Sequence, residues 1–438
     1  MYNSLKLNGE KNKKRNRKRK DYSEKKSLIR KHNKHIQEEE YSNIKVKKKC
    51  IFQIIIIILF VLIISSFIFV KIIQKKNISK PIYLRYTREE AFQRGRIYLN
   101  KCLEGLLIHN QTFKKNNNNI KITVIIPLFN KEKIIKSVIR SIQNQNIEEI
   151  EIIIVNDFST DNSSKVVEEM QKEDSRIKLI NNQKNLGILY SRAIGVFEAK
   201  GKYIVNLDHD DLFFDEDVLQ TTLFEAEEGN FDILSFIDVQ ARHYYARVKR
   251  MKDGLCANNP DNTTVYQPEL SYYLIFKNER FAFIDIRIWG KLIKNEVYKK
   301  AMNFLGKERY SVFNIINEDI IGIFAISMVA QSYKYIRKYG VFHYKDRNTA
   351  SRTTTMNHFM YMDIYFSEIL FDLSKNENKK YAAFIIIPIK HKYYYTIKEE
   401  KTKLYLIKVI KKILNCEYIE EKYKAQIKKE YSYLGNFN

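Results

Sequence analysis

Cysteine is scarce, 4 in 438 residues. That is too few for a disulfide framework in a chain of this length. The four are also too dispersed for a zinc site. Glycine-rich phosphate loops are missing: no GxGxxG and no GxxxxGK[ST] follows any apolar stretch. This excludes the glycine-cradled binding of dinucleotides and of P-loop nucleoside triphosphates. Acidic residues are in deficit, 51 against 77 Lys and Arg, which leaves a net charge of +26. Tryptophan occurs once, as Trp289. Long charge-free apolar runs are nearly absent too. The stretch AAFIIIPI (382–389) is short and interrupted by Pro388, and only IFQIIIIILFVLIISSFIFV (51–70) is long.

What is present begins with charge. Residues 1–50 hold about 18 Lys and Arg against about 6 acids, nearly half of the chain's basic excess. Such a tail fits nucleic acid, an anionic membrane surface or nuclear targeting. Its neighbour decides among them. Twenty uncharged residues span a hydrocarbon core of about 30 Å at 1.5 Å per residue. The run is too long, and its basic preface far too long, for a cleavable signal peptide. Both flanks are basic, the N-terminal one more so, which places residues 1–50 in the cytoplasm and the rest across the membrane. Nucleic acid is not an expected partner. Cys50, at the membrane edge, reads as an acylation site or as an unmodified boundary residue. Cys102, Cys256 and Cys416 leave room for one disulfide if the main body is lumenal. Sequons at Asn77, Asn110, Asn162 and Asn262 accord with that placement.

Residues 71–119 read as a stem and linker, with helical spacing of Ala91, Tyr98, Leu99, Cys102 and Leu106 and a polar KKNNNN end. Strands and helices then alternate. KITVIIPLFN (121–130), EIEIIIVNDFSTDNS (149–163), RIKLINNQKNLG (176–187) and GKYIVNLDHDD (201–211) read as strands with their loops; 131–145, 164–172 and 190–199 read as helices. The alternation predicts right-handed βαβ units and a parallel sheet. Continuous apolar runs are what strands buried on both faces require. Ligands bind beyond the carboxyl ends of such strands, and Asn130, Asp157 and Asp208–Asp211 all fall there. Carboxylates as close as Asp208, Asp210 and Asp211 repel unless water solvates them or a cation binds them. Mg²⁺ or Mn²⁺ suits such oxygen ligands.

The pieces VIIPLFN, IIIVNDFSTDNS, NLGILYSRAIG and YIVNLDHDDLF, in this order and spacing, resemble the glycosyltransferase family 2 domain over residues 121–350. The resemblance implies a GT-A fold: an α/β, Rossmann-like, mostly parallel sheet. It follows one transmembrane helix and precedes a helical C-terminal extension (356–438). Residues 120–235 correspond to the nucleotide-sugar half and 236–355 to the acceptor half. By resemblance Pro127, Phe129 and Asn130 line the nucleotide base, and Asp157 accepts from a base N–H or serves as a turn or helix-capping residue. Arg192 pairs with nucleotide or diphosphate. Asp208 meets ribose or metal, Asp210 ligates the metal, and Asp211 caps the next segment. His209 is read as structural, pointing to the opposite side of the strand from its neighbours.

Further along, DIRIWGKL resembles the family's Trp-x-Lys-Leu segment, so Trp289 stacks on acceptor or donor sugar or sits in the core. In FNIINEDIIGIFAI, Glu318 contacts the acceptor and Asp319 matches the catalytic base, unless the segment only caps its helix. In HYKDRNTAS, Lys345, Arg347 and Ser351 close over the diphosphate. No QxxRW segment of the processive synthases occurs. The expectation is an inverting, non-processive transfer from a metal-bound nucleotide-sugar, a UDP-sugar, to a glycan, glycoprotein or lipid acceptor. Its setting is a single-pass type II protein of the Golgi or endoplasmic reticulum with a lumenal catalytic domain. The alternatives are a non-catalytic, membrane-tethered sugar or nucleotide-sugar binding module, and a cytosolic domain acting on a lipid phosphate.

Overall fold

The computed structural model describes residues 86–107, 119–241, 252–253, 263–277, 280–281, 287–311, 318–344, 356–374 and 400–434. The basic tail, the apolar run at 51–70 and the loop with Lys345, Arg347 and Ser351 lie outside the described residues. Among those described, no helix is long and apolar enough to cross a membrane.

In chain order the elements are α1 (Arg88–Leu103), β1 (Ile122–Leu128), α2 (Ile135–Gln143), β2 (Ile150–Asn156), α3 (Ser163–Glu173), β3 (Ile177–Asn181), α4 (Ile188–Glu198), β4 (Tyr203–Asn206), β5 (Leu212–Phe213), α5 (Val218–Glu228), β6 (Ile233–Ala241), β7 (Lys252–Asp253), β8 (Thr264–Tyr266), α6 (Leu270–Ile275), β9 (Phe276–Lys277), β10 (Arg280–Phe281), β11 (Lys291–Lys294), α7 (Asn295–Leu305), α8 (Lys307–Tyr310), α9 (Glu318–Val329), β12 (Ser332–Tyr344), α10 (Met356–Leu373), α11 (Glu400–Leu414) and α12 (Glu421–Glu430). Every residue of β1 and β2 is buried. Side chains alternate between two layers, as strand geometry demands. Ile122, Val124, Ile126 and Leu128 meet Ile135, Val138 and Ile142 of α2 on one face, while Ile125 meets Ala193 and Val196 of α4 on the other. Gly195 lets α4 lie close: a Cβ there would stand 2.5 Å from Ile125 Cγ2.

Parallel register levels the strand ends. Leu128 pairs with Asn156 and Asn156 with Asn181, so the loops that follow rise from one edge. β4 stops lower, with Asn206 beside Ile125. The turn after it climbs to β1's end, where His209 Nδ1–H donates to the Pro127 carbonyl (2.9 Å). His209 thus belongs to a turn, not to the opposite face of a strand.

The sheet is mixed, which corrects the expectation of a mostly parallel one. Its order is β3-β2-β1-β4-β11-β6-β12-β5, and β11 runs antiparallel to both neighbours while β5 runs antiparallel to β12. The regular crossovers that force parallel pairing end at β4. β11 arrives only after a long excursion, so no helical crossover fixes its direction.

Two other segments belong to the body of the fold. α1, expected as stem, starts with a capping box between Thr87 and Glu90 and buries Phe92, Tyr98, Leu99 and Cys102 with Phe214 and Phe342. Cys102 is a buried free thiol, and burial pushes its pKa up to about 11. The C-terminal extension is helical as expected. Ile364, Leu370, Leu406, Ile410 and Tyr431 join the same core cluster as Ile125 and Ile204.

Candidate active site

Three loops and one helix start converge at the carboxyl edge. The loop after β1 carries Phe129, Asn130 and Lys131. Asn130 has φ +50°, a left-handed position that Asn tolerates better than most residues. Asn130 N–H donates to Ser159 Oγ (3.0 Å), and Thr160 N–H donates to Asn130 Oδ1 (2.8 Å), so this loop is sewn to the one after β2. Phe129 and Phe158 stand at the rim, 38% and 52% exposed. Their open faces are suited to a flat, apolar ring.

Asp157 has a structural part here. It is buried and accepts from the Leu186 and Gly187 N–H groups (2.8 and 2.7 Å) and from Asn182 Nδ2 (2.9 Å). These bonds hold the entry to α4.

Arg192, on α4, is the centre of the site and 1% exposed. Its Nη2 donates to Asp208 Oδ1 (2.7 Å), and its Nη1 donates to Glu318 Oε1 and Asp319 Oδ1 (2.9 Å each). The guanidinium is deeply buried and bound to three acids. It gathers residues 126 and 127 positions downstream against the β4 turn. Burial works against its charge, yet Asp319, Asp208 and Glu318 raise its pKa further. Three carboxylates on one guanidinium leave an excess of acid. Burial, then Asp319, pushes Glu318 up to about 7, and burial likewise raises Asp319. Tyr298 is buried beside them, its hydroxyl accepting from Asn206 Nδ2 (3.1 Å).

Asp210 is bound by Lys131 Nζ at 2.8 Å. Burial would raise its pKa, but His209 and Lys131 outweigh burial and hold it low. Asp211, expected as a cap, is fully buried and pairs with His343 Nδ1 (3.0 Å). Burial opposes the imidazolium, but Asp211 raises His343 to about 9. His343 also stacks on Trp289 (ring centroids 5.0 Å apart, 22° between planes), and Arg287 lies 4.4 Å over the same indole. Trp289 itself is 6% exposed.

Among the described residues no three carboxylate, imidazole or thiol groups form an all-protein metal cage. A hard dication bound by one or two carboxylates plus phosphate oxygens needs none. Asp208 and Asp210 supply the oxygens, and the acid excess around Arg192 supplies the charge, so the residues fit such an ion.

Sequence reading missed Lys131, His343 and Tyr298. A lysine one residue past the PLFN turn has no special mark in a chain this basic. His343 and Tyr298 are separated from their partners by 132 and 92 positions.

Comparison with known proteins now bears on this geometry. Residues 123–299 match the model of glycosyl transferase family 2. This segment is similar to a glycosyl transferase family 2 domain. Glycosyltransferase GlyA of Streptococcus pneumoniae serotype 4 is 30% identical over 192 residues, covering 43% of this chain and 26% of that protein. The GalNAc(5)-diNAcBac-PP-undecaprenol beta-1,3-glucosyltransferase of Campylobacter jejuni is 37% identical over 110 residues, covering 25% of this chain and 35% of its own length. The chain thus spans between about a quarter and a third of these two relatives. The crystal structure of S. aureus TarS 1–349 in complex with UDP-GlcNAc superposes with a TM-score of 0.51 at 13% identity, covering 72% of this chain and 90% of that one. It shares the GT-A-like fold. The family 2 match ends before α9, so Arg192 reaches from inside the domain to two acids beyond it.

Proposed function

We propose that the chain is an inverting, non-processive glycosyltransferase that moves a sugar from a nucleotide-sugar to an acceptor hydroxyl. The observation that carries this is the convergence of Asp208, Glu318 and Asp319 on Arg192 at the edge where the parallel strands β1 to β4 end. The UDP-GlcNAc in the TarS complex supports a UDP-sugar donor. The undecaprenol-linked acceptor named for one relative supports a lipid-borne glycan among acceptors.

Phe129 offers a face to the base at the cleft rim. Asp208 and Asp210 would hold Mg²⁺ or Mn²⁺ with the donor diphosphate, which neutralises the leaving group's charge when bound. Asp319 acts as base. Its Oδ1 is fixed by Arg192, and the carboxylate takes the acceptor proton. As the acceptor oxygen bonds to the anomeric carbon, the bond from that carbon to the diphosphate oxygen breaks, and the nucleoside diphosphate leaves with the electron pair. Attack opposite the leaving group inverts the anomeric centre. A base with a raised pKa takes that proton more readily near neutral pH.

Asp319→Asn should keep donor binding and lose transfer by at least about a hundredfold, the scale of general base catalysis. Full transfer by this variant, measured with radiolabelled UDP-sugars, would end the assignment. Wild-type protein that binds donor but never transfers would favour a binding module. We further propose the type II arrangement, with residues 51–70 as the span and the domain in the lumen. Glycosylation at Asn77 or Asn262 tests it, and protease access from the cytosol would reverse it.

A further inference from the structure

The donor's diphosphate needs a cation from the protein, and Arg192 is buried behind its three acids. Lys131 is differently placed. Its ammonium lies 2.8 Å from Asp210 Oδ2, with the Lys and Asp side chains 28% and 16% exposed. A ligand entering the cleft can reach both. The backbone beneath is fixed: Lys131 N–H donates to Ser163 Oγ (2.7 Å), and Glu132 N–H donates to Asp161 Oδ2 (3.0 Å). Only the side chain is left to move, and a four-carbon stem with three rotatable donors suits movement between two anions. His209, 4.0 Å from Asp210, is tied through Nδ1 to the Pro127 carbonyl.

We propose that Lys131 is a diphosphate-binding residue of this site, parked on Asp210 without donor and passed to the diphosphate when a divalent ion takes Asp210. This rests on the glycosyltransferase reading and deepens it. An ammonium and a dication on one carboxylate repel each other strongly at such range. The ion's arrival therefore frees the lysine at the moment the anion it can bind arrives. Without donor, Lys131 neutralises Asp210 and competes with the ion, so metal and nucleotide should bind the site together better than either does alone.

The test uses the full-length chain, wild type, Lys131→Met and Lys131→Arg. Mn²⁺ is titrated alone, followed by the magnetic resonance signal of the free ion. The tightest of UDP, GDP, CDP and dTDP is then titrated at saturating Mn²⁺, with the parent nucleoside as control. Lys131→Met should bind Mn²⁺ alone several-fold more tightly and the nucleoside diphosphate about tenfold more weakly, the scale of one charge-assisted contact, with the nucleoside unchanged. Lys131→Arg should stay near wild type. Opposite signs for metal and nucleotide are what loss of a mere structural strut would not produce. Unchanged nucleotide affinity in Lys131→Met overturns the proposal, as does a joint loss of metal, nucleotide and nucleoside binding. Wild-type protein that binds no nucleoside diphosphate overturns the glycosyltransferase reading, and this inference with it.

Discussion

Arg192 is bound to a carboxylate 16 positions away and to two others 126 and 127 away. Removing one member of a buried ionic group leaves the others uncompensated, at a cost of about 3–5 kcal/mol. Arg192→Met should therefore lower stability by that amount in urea unfolding. An unchanged midpoint would mean the acids solvate themselves. The same cluster sets a pH dependence. Glu318 titrates near 7 in the folded chain and near 4.3 when unfolded, so the folded state holds the extra proton between those values. Its contribution is complete below the unfolded value and is lost as pH rises through about 7. The thermal midpoint of donor-free protein should fall from pH 5 to 8, and Glu318→Gln should flatten that fall. A variant as steep as wild type would remove Glu318 as its source.

At the scale of elements, the site depends on how closely α4 lies on the sheet. Gly195 sits one turn beyond Arg192, its α-carbon against Ile125 of β1. Gly195→Ala forces the helix outward or the isoleucine off its rotamer, and overpacking of this kind costs about 1–3 kcal/mol. The shift also moves Arg192 relative to Glu318 and Asp319. We expect a lower unfolding midpoint together with weakened transfer at saturating donor. Alanine's better helix propensity pulls the other way, so a stabilised variant would mean the gap closes without strain.

At the scale of the whole molecule, the C-terminal helices are part of the core rather than an appendage. Phe366 of α10 meets Phe324 of α9 edge-on, with centroids 6.5 Å apart, and α9 carries Glu318 and Asp319. The amphipathic spacing of α11 is used up inside the fold: Leu406, Val409, Ile410 and Ile413 are buried. Deleting residues 400–438 should expose this surface and yield aggregated, inactive protein, read by size-exclusion chromatography. A monodisperse, active truncation would make the extension dispensable. α1 belongs to the same body, so a soluble fragment should begin before Thr87 and not at the Asn-rich linker.

By itself the sequence determined whatever depends on near neighbours along the chain. Apolar runs and helical spacing give β1 to β4 and α2 to α4 to within a few residues, and a βαβ series implies parallel strands whose carboxyl ends share one edge. That Asn130, Asp157 and Asp208–Asp211 share one edge is a consequence of that rule. Tertiary structure alone decided which charges meet. An ion pair depends on the distance between side-chain ends, and in a mixed sheet that distance bears no relation to sequence separation. Hence only the fold shows Arg192 clasping three acids, Asp211 paired with His343 and Trp289 stacked on His343. Lys131, one lysine among many along the chain, stands on Asp210 because two loops 79 positions apart end at the same height.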